Sequence, residues 1–221
     1  MDLSDAQIER YSRHILLKEL GGIGQERILT GGVLISGGGA VPPLTALYLA
    51  AAGVGRLGLG FGDGAAETAV IIRALNPDIQ TGLVAPERVS REAIARYDLV
   101  VHTVVPGDTG DRLNHAWLEA ERPMVVARVV GESGSATALR PGRGKGCLAC
   151  VPWPPGEQTV TPLAAPLAGA VASLQAIEVL KALTQTGVLL YERMVTMDAR
   201  VATYVVEELP RRSACTVCGA T

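Results

Sequence analysis

The sequence predicts an α/β domain: a mostly parallel sheet with helices on both faces, continued by a C-terminal antiparallel extension. Three observations carry this. Between residues 31 and 130, short β-branched and apolar runs alternate with helical patterns, the layout of parallel strands joined by crossover helices. The first strand runs into Gly37-Gly38-Gly39 and then an apolar helix. After Gly131 the chain turns to strands that alternate around a tight turn, and it ends on a cysteine pair. Composition agrees. Of 221 residues, 48% are apolar and 19% charged, with 20 basic and 22 acidic side chains and a net charge of −2. A chain of this length and balance can bury a substantial core. It is neither a disordered acidic tail nor a basic nucleic-acid arm. Arginine outnumbers lysine 17 to 3, a bias of composition rather than a phosphate-binding feature. With 26 glycines and only two Trp, five Tyr and one Phe, the core must be Ala, Val, Leu and Ile at short backbone distances.

The elements follow in order. Ser4 and Gln7 form an S-x-x-Q capping box, which predicts an amphipathic helix to about Leu20. Residues 33–35 read as a buried strand and 42–52 as a helix ended by Gly53. Residues 56–61 form the next strand. The helix over 65–75 stops before Asn76-Pro77, because proline drives its predecessor out of the helical region. A strand over 79–84 and a short helix over 90–96 lead to 99–105, a β-branched run typical of a parallel strand buried on both faces. A helix over 108–121 and a strand over 124–130 complete the parallel part. Residues 135–139 then return as a hairpin, 140–146 form a Gly/Arg loop, 153–155 are Pro-rich and 166–183 a long helix. Strands over 189–197 and 201–207 pair around Asp198-Ala199-Arg200.

Residues 1–10 contain Asp2, Asp5 and Glu9 and no apolar core, unlike a signal peptide. The most apolar stretch, 162–174, is 13 residues long, contains Pro162 and Pro166, and runs into Gln175, Glu178 and Lys181. It is too short to span a bilayer and reads as a buried, Ala-rich helix. A cytoplasmic protein is expected, with no membrane or nucleic-acid partner.

Cys147-Leu148-Ala149-Cys150 and Cys215-Thr216-Val217-Cys218 are two C-x-x-C knuckles, and no cysteine is left over. Two knuckles can close a tetrahedron of four thiolates, which suits structural zinc and leaves no open catalytic position. Such an ion would staple the C-terminal tail to the loop after the parallel strands. Two separate redox pairs and four unconnected thiols are the alternatives.

Strand, Gly37-x-Gly39, helix is the first β-α turn of a Rossmann-like nucleotide fold, which offers helix N-terminal N–H groups to phosphate. Here Pro42 and Pro43 follow, and proline has no N–H to give. The loop is open to two readings: a weakened phosphate site, or glycines that only let strand and helix pack closely.

Arg10-Tyr11-Ser12-Arg13-His14, Gly24-Gln25-Glu26, the glycine loop, Ala52-Gly53-Val54-Gly55, Asn76-Pro77, Asp98-Leu99-Val100, Ser173-Leu174-Gln175-Ala176-Ile177-Glu178 and both cysteine pairs occur in the order of the ThiF/MoeB/HesA family. The chain resembles these bacterial relatives of ubiquitin-activating enzymes over nearly its whole length. The resemblance implies one domain over 1–221: an N-terminal helical arm (1–30), a Rossmann-like core (31–130) and a zinc-stapled antiparallel extension (131–221). It also implies an α/β dimer with zinc on Cys147, Cys150, Cys215 and Cys218. The family's activity is Mg-ATP-dependent adenylation of the C-terminal Gly-Gly of a ubiquitin-like or sulfur-carrier protein. In the family pattern Gly37 and Gly39 stand on the ATP loop, and Arg13 matches an arginine that reaches into the partner's ATP site.

The chain also departs from that pattern. Where the family has a D-x-D segment, Phe61 takes the first aspartate position and only Asp63 can stand for the second. The following arginine- and lysine-bearing segment is missing, since Gly64 runs directly into Ala65-Ala66-Glu67. Val104-Val105-Pro106 replaces a T-D-N whose aspartate helps hold Mg, with Asp108 and Asp111 nearby as substitutes or, for Asp108, as an ordinary helix cap. Thr159 and Thr161 stand where a reactive cysteine often lies. Charge clamping supplies most of the catalysis in phosphate chemistry, so these losses together argue against Mg-ATP binding in cis. The expected protein is a degenerate accessory half, as homodimer or as heterodimer with an ATP-competent relative, with Arg13 acting in trans. The alternatives are an active adenylyltransferase using Asp63, Asp108 and arginines in an altered pocket, and a zinc-stabilised protein-binding module. A dinucleotide redox protein is disfavoured by the prolines and by Phe61-Gly62 at the end of the second strand. His14, His102 and His115 are scattered, and Arg140, Arg143 and Lys145 form a small basic loop patch.

Overall fold

The computed structural model describes residues 3–105, 110–142, 145–156, 161–209 and 214–219. Asp108, Arg143 and Thr159 lie outside them, as does the side chain of Asp111. The continuous apolar runs become strands covered on both sides. β1 (Gly32–Gly37), β2 (Arg56–Gly60), β3 (Gln80–Leu83), β4 (Leu99–Val104) and β5 (Met124–Val130) are parallel, in the order β3-β2-β1-β4-β5. β6 (Ser133–Leu139), β7 (Arg193–Asp198) and β8 (Thr203–Glu208) extend the same sheet antiparallel, giving eight strands. Side chains alternate between two cores, as a pleated strand requires. Val33, Ile35, Leu99 and Val101 enter one core, and Leu34, Val100 and Val104 enter the other.

Helices cover both faces. α3 (Gly21–Thr30), α4 (Val41–Ala52), α5 (Ala65–Leu75) and α8 (Ala164–Thr184) pack on the first face through residues such as Ile28, Leu49, Ile72 and Val179. α6 (Arg91–Ala95) and α7 (Asp111–Ala120) cover the second through Ile94, Leu113 and the fully buried Trp117. Helices α4 to α8 lie within three residues of the expected bounds: α5 is 65–75 as read, and α8 runs from 164 to 184 rather than 166 to 183. At 21 residues α8 is long and apolar enough by composition to cross a membrane, and half of its most apolar stretch is buried inside the protein. Its neighbours there are α4, β5 and β6.

The N-terminal arm differs from expectation. The capping box forms at Ser4 and Gln7, but the single helix to Leu20 is instead α1 (Asp5–Arg10) and α2 (Ser12–Ile15). The break falls at Tyr11, whose φ of −102° and ψ of 13° leave the helical region. Tertiary contacts cause it. The Tyr11 hydroxyl donates to Asp78 Oδ2 at 3.1 Å and accepts from Asn76 Nδ2 at 2.9 Å, and the side chain is buried. α3 falls within the 1–30 stretch expected as a helical arm, although the expected helix ended near Leu20. It holds through the buried Gln25, Ile28 and Leu29, with Gln25 Oε1 3.0 Å or less from His14 Nδ1 (2.9 Å) and Gln25 Nε2 donating to the Ala52 carbonyl at 3.2 Å.

One polar lock ties the two helices and the sheet together. Gln175 of α8 is fully buried; its Nε2 donates to the His102 carbonyl in β4 at 3.1 Å, and its Oε1 accepts from Thr45 Oγ1 of α4 at 3.0 Å. At the opposite edge β8 is exposed along its length, with Tyr204, Val205 and Val206 facing solvent. Replacing Gln175 by leucine removes both hydrogen bonds and strands the polar groups they satisfied. The expected loss is about 1–3 kcal/mol of unfolding free energy, read as a lower denaturant midpoint at unchanged slope.

Candidate functional site

The four cysteines converge. Cys147 and Cys150 flank a 3₁₀ turn after β6, with the Cys150 N–H donating to the Cys147 carbonyl at 2.8 Å; the Gly219 N–H closes the second knuckle on the Cys215 carbonyl at 3.1 Å. The sulfur–sulfur distances are 3.9 Å for Cys147–Cys150, 3.9 Å for Cys147–Cys215 and 3.7 Å for Cys150–Cys218, and all four sulfurs lie within 4.8 Å of one another. Zn–S bonds of about 2.3 Å in a tetrahedron place sulfurs about 3.8 Å apart, so the set fits a zinc-sized ion. The contacts between knuckles are as short as those within one, which makes this a single four-sulfur cluster rather than two independent redox pairs, and none is a disulfide. The cluster could hold a metal such as zinc.

The thiols differ in acidity. N–H groups of Cys218 and Val217 donate to Cys215 and bring its pKa down to about 6. Burial, aided by hydrogen bonds with Cys215 and Cys150, pushes Cys218 up to about 12, and burial also raises Cys150. A metal must therefore displace protons held at neutral pH by at least Cys150 and Cys218. The expected consequence is an apparent zinc affinity that falls as pH falls, by about 100-fold per pH unit near neutrality if two protons leave. Competition with a colorimetric chelator across pH 6–8 measures that slope.

The second feature is a crevice outside the carboxyl ends of β1 and β4, where the strand order reverses and open α/β sheets bind ligands. It has a volume of about 330 Å³ and is lined by residues including Ser36, Gly37, Gly38, His102 and Arg112. Gly37 has a φ of +109°, and a Cβ there would fall 2.2 Å from the Thr103 carbonyl oxygen, so its glycine is required by close packing against β4. The Gly38 N–H donates to that same carbonyl at 3.3 Å. Gly39 has a φ of +79° and faces open space, outside the crevice lining. α4 starts at Val41, placing Pro42 and Pro43 one position further into the first turn than expected. The loop's remaining N–H groups are those of Gly39, Ala40 and Val41. Ser36 Oγ lies 3.0 Å from His102 Nδ1 across the β1–β4 pair and 3.2 Å from the Val101 carbonyl, which accepts its proton. A wider groove of about 690 Å³ adjoins this crevice at Pro86 and is bordered by Leu59, Leu83, Tyr97 and the exposed Arg88 and Arg96.

The other expected residues are dispersed. Asp63 is exposed on the β2–α5 turn and lines neither cavity. Arg13 is exposed on α2, beside Tyr11, at the Gly53 and Asn76 ends of α4 and α5. The 12 residues of α4 separate that end from the glycine loop by about 18 Å, so Arg13 cannot reach the loop of its own chain. The basic patch is not free either: Arg140 and Lys145 pair with Glu192 at 3.5 and 3.2 Å, and Arg140 stacks on Tyr191. Thr161 Oγ1 accepts from the Leu163 N–H at 3.3 Å ahead of α8.

Sequence reading missed Arg112 and Asn114. Arg112 Nη2 donates to the Pro86 carbonyl at 3.0 Å, joining the walls of the two cavities. Asn114 sits at the metal centre, its Nδ2 donating to Cys147 Sγ at 3.3 Å. One signal was available for it: Asn114 shares the buried stripe of α7 with Leu113 and Trp117, and a polar residue on an apolar stripe needs a partner.

The fold and the four-sulfur cluster define a Rossmann-like protein with a metal-type staple. The chain belongs to the ThiF family, whose model matches residues 65–219. It is 29% identical to the sulfur carrier protein ThiS adenylyltransferase of Escherichia coli K12, covering 98% of this chain and 97% of that one. That alignment runs over 246 positions against 221 residues here, so the relative carries segments that this chain lacks. The bovine adenylyltransferase and sulfurtransferase MOCS3 is 34% identical over 98% of this chain, which spans about half (54%) of MOCS3. Among solved structures, E. coli MccB with MccA-N7isoASN has a TM-score of 0.75 at 18% identity, covering 99% of this chain and 76% of MccB. PaaA has a TM-score of 0.75 at 18% identity, covering 94% and 75%. At these identities the likeness is one of fold.

Proposed function

We propose that this protein serves the activation of a sulfur-carrier or ubiquitin-like protein as an ATP-poor, accessory member of the ThiF family, paired with an ATP-competent chain. One observation carries the accessory role: the β1–α4 loop keeps the shape of a phosphate loop with a reduced set of donors. Gly37 is consumed by packing against Thr103, the Gly38 N–H is donated back into the sheet, and Pro42 and Pro43 have no N–H. Asp63 stands outside the crevice. A triphosphate brings several negative charges that need donors and cations around them, and the loop leaves only the N–H groups of Gly39, Ala40 and Val41 to supply them. Activity on the carrier protein is supported by the family and by the near full-length match to the ThiS adenylyltransferase.

Arg13 is the residue through which such a half would contribute. It is exposed, and its anchor at Tyr11, Asn76 and Asp78 holds it about 18 Å from its own loop. That distance supports a contribution to another chain's site rather than to its own. Zinc on Cys147, Cys150, Cys215 and Cys218 would be structural, since four thiolates fill its tetrahedron.

A second reading has its own observation. Arg112 borders the crevice, and Arg88 and Arg96 border the adjoining groove, which gives an altered pocket some positive charge. Isothermal titration with Mg-ATP and ATP–pyrophosphate exchange separate the two. The accessory role predicts no measurable heat at ligand concentrations up to about 1 mM and no exchange by the isolated protein. Micromolar binding with exchange would establish the active enzyme instead. In a complex with a co-expressed full-length relative, Arg13→Ala is expected to slow the relative's adenylation at least 10-fold. A complex that forms and adenylates at the unaltered rate would remove Arg13 from the mechanism.

A further inference from the structure

Asn114 touches both features of this protein. It lies in the first turns of α7, whose Gly110, Arg112 and Leu113 form one wall of the crevice. Its side chain is 1% exposed and points the other way, into the sulfur cluster. There Nδ2 donates to Cys147 Sγ at 3.3 Å, and Oδ1 accepts from the Leu148 N–H at 3.1 Å. A carboxamide is the side chain that can do both, donating to an electron-rich sulfur while accepting from an amide one residue along. Aspartate would bring a second negative charge against the thiolate, and leucine would make neither bond.

The contact continues through packing. A Cβ on Gly110 would fall 2.5 Å from Leu148 Cδ2, so the first turn of α7 sits directly against the knuckle that carries Cys147. The Asn114 N–H closes that turn on the Gly110 carbonyl at 2.7 Å, and Leu113 joins the core that contains Cys147 and Leu148. Arg112, in the same turn, reaches across to the Pro86 carbonyl at the junction of the two cavities. Cys147 is thus one hydrogen bond from Asn114, and Asn114 is one helical turn from the crevice wall.

We infer that Asn114 is a positioning residue that couples the metal centre to the crevice: metal capture by the four cysteines fixes the N-terminal turn of α7, and through it the shape of the crevice. When a cation draws the Cys147 sulfur into its tetrahedron as thiolate, the hydrogen bond from Asn114 becomes charge-assisted and shorter. The α7 turn is then held to the knuckle at two points, Cys147 Sγ and the Leu148 N–H. Without the ion the sulfur is a weaker acceptor and the knuckle is free to shift, and α7 loses the register that aims Arg112 at Pro86. The coupling rests on a metal in the cysteine cluster and is independent of whether the crevice accepts a nucleotide.

The test uses the full-length zinc-loaded protein with Asn114→Ala, Asn114→Asp and Asn114→Ser, and metal content is measured first. Zinc release to a colorimetric chelator is expected to be 10- to 100-fold faster in the variants, the scale on which outer-sphere partners of metal ligands act. Replacing zinc by cobalt gives a thiolate-to-metal charge-transfer band, which should shift when the hydrogen bond to Cys147 is removed. Amide hydrogen exchange supplies the readout at the crevice. Backbone amides in residues 111–115 should exchange faster in the metal-free protein, and also in zinc-loaded Asn114→Ala, while those in the interior of α4 keep their protection. A merely structural polar contact would lower stability without moving the cobalt band. One zinc per chain with unaltered release, band and exchange in the variants would overturn the coupling while leaving the metal centre in place. A protein that takes up no metal would overturn both. Should Asn114→Ala fail to fold, Asn114→Ser and the wild-type comparison with and without metal decide the outcome on the same readouts.

Discussion

The burial of both faces of the parallel strands is the constraint on which the rest of this structure depends. Parallel strands cannot be joined by tight turns, and their crossover helices must cover the sheet on either side. In this protein the helices that follow β1, β2, β3 and β4 do not finish the task. The second half of the chain supplies the remainder to both faces. α8 lies against α4, β5 and β6 on one side, pinned by Gln175. The two cysteine knuckles bring Leu148, Val151 and Cys215 into the core beneath α7 on the other. The C-terminal extension is therefore part of the fold's covering layer as well as a continuation of its sheet.

The same constraint explains what became of the glycine loop. β1 and β4 approach so closely at their carboxyl ends that residue 37 has no room for a side chain, and the following N–H is absorbed into the strand pair. Glycines at these positions are needed whether or not a phosphate ever binds. The fold can thus keep its outline with prolines at positions 42 and 43, and the shape of the loop is poor evidence of its chemistry.

Most of the fold was legible because its signals are local. The helix over 65–75 and the strand over 124–130 match the sequence pattern to the residue, the former bounded by Gly64 and by Asn76-Pro77. The paired cysteines suggested a cluster by their spacing, with redox pairs and unconnected thiols as alternatives, and the fold brings all four together. What was illegible depends on partners distant in the chain. Nothing near Tyr11 shows that the helix must break there, since the groups that hold its hydroxyl are Asn76 and Asp78, 65 and 67 residues on. α3 has three glycines, which disfavour a helix, and is helical because Gln25, Ile28 and Leu29 are buried, a case of tertiary packing overriding propensity. Asn114 looks like an ordinary helix residue until Cys147, 33 residues later, is folded against it. The pairing of the loop patch was hidden for the same reason, because Glu192, the partner of Arg140 and Lys145, lies 52 and 47 residues away.

The order in which the chain is made gives α8 a particular history. Read alone as it leaves the ribosome, its 21 residues have the length and mean composition of a bilayer-crossing segment. Most of the surface against which it packs, on α3, α4, β4, β5 and β6, is encoded before it, and only contacts such as that of Glu178 with the Leu190 N–H come from chain that follows. Domains acquire structure from the N-terminus during synthesis, so the cover for α8 is already present when the helix emerges. The interval in which it could meet a membrane or another nascent chain is correspondingly short. Moving this helix to the start of the chain, as a circular permutation would, keeps every native contact but removes that protection, because the helix would then wait for its partners rather than arrive last.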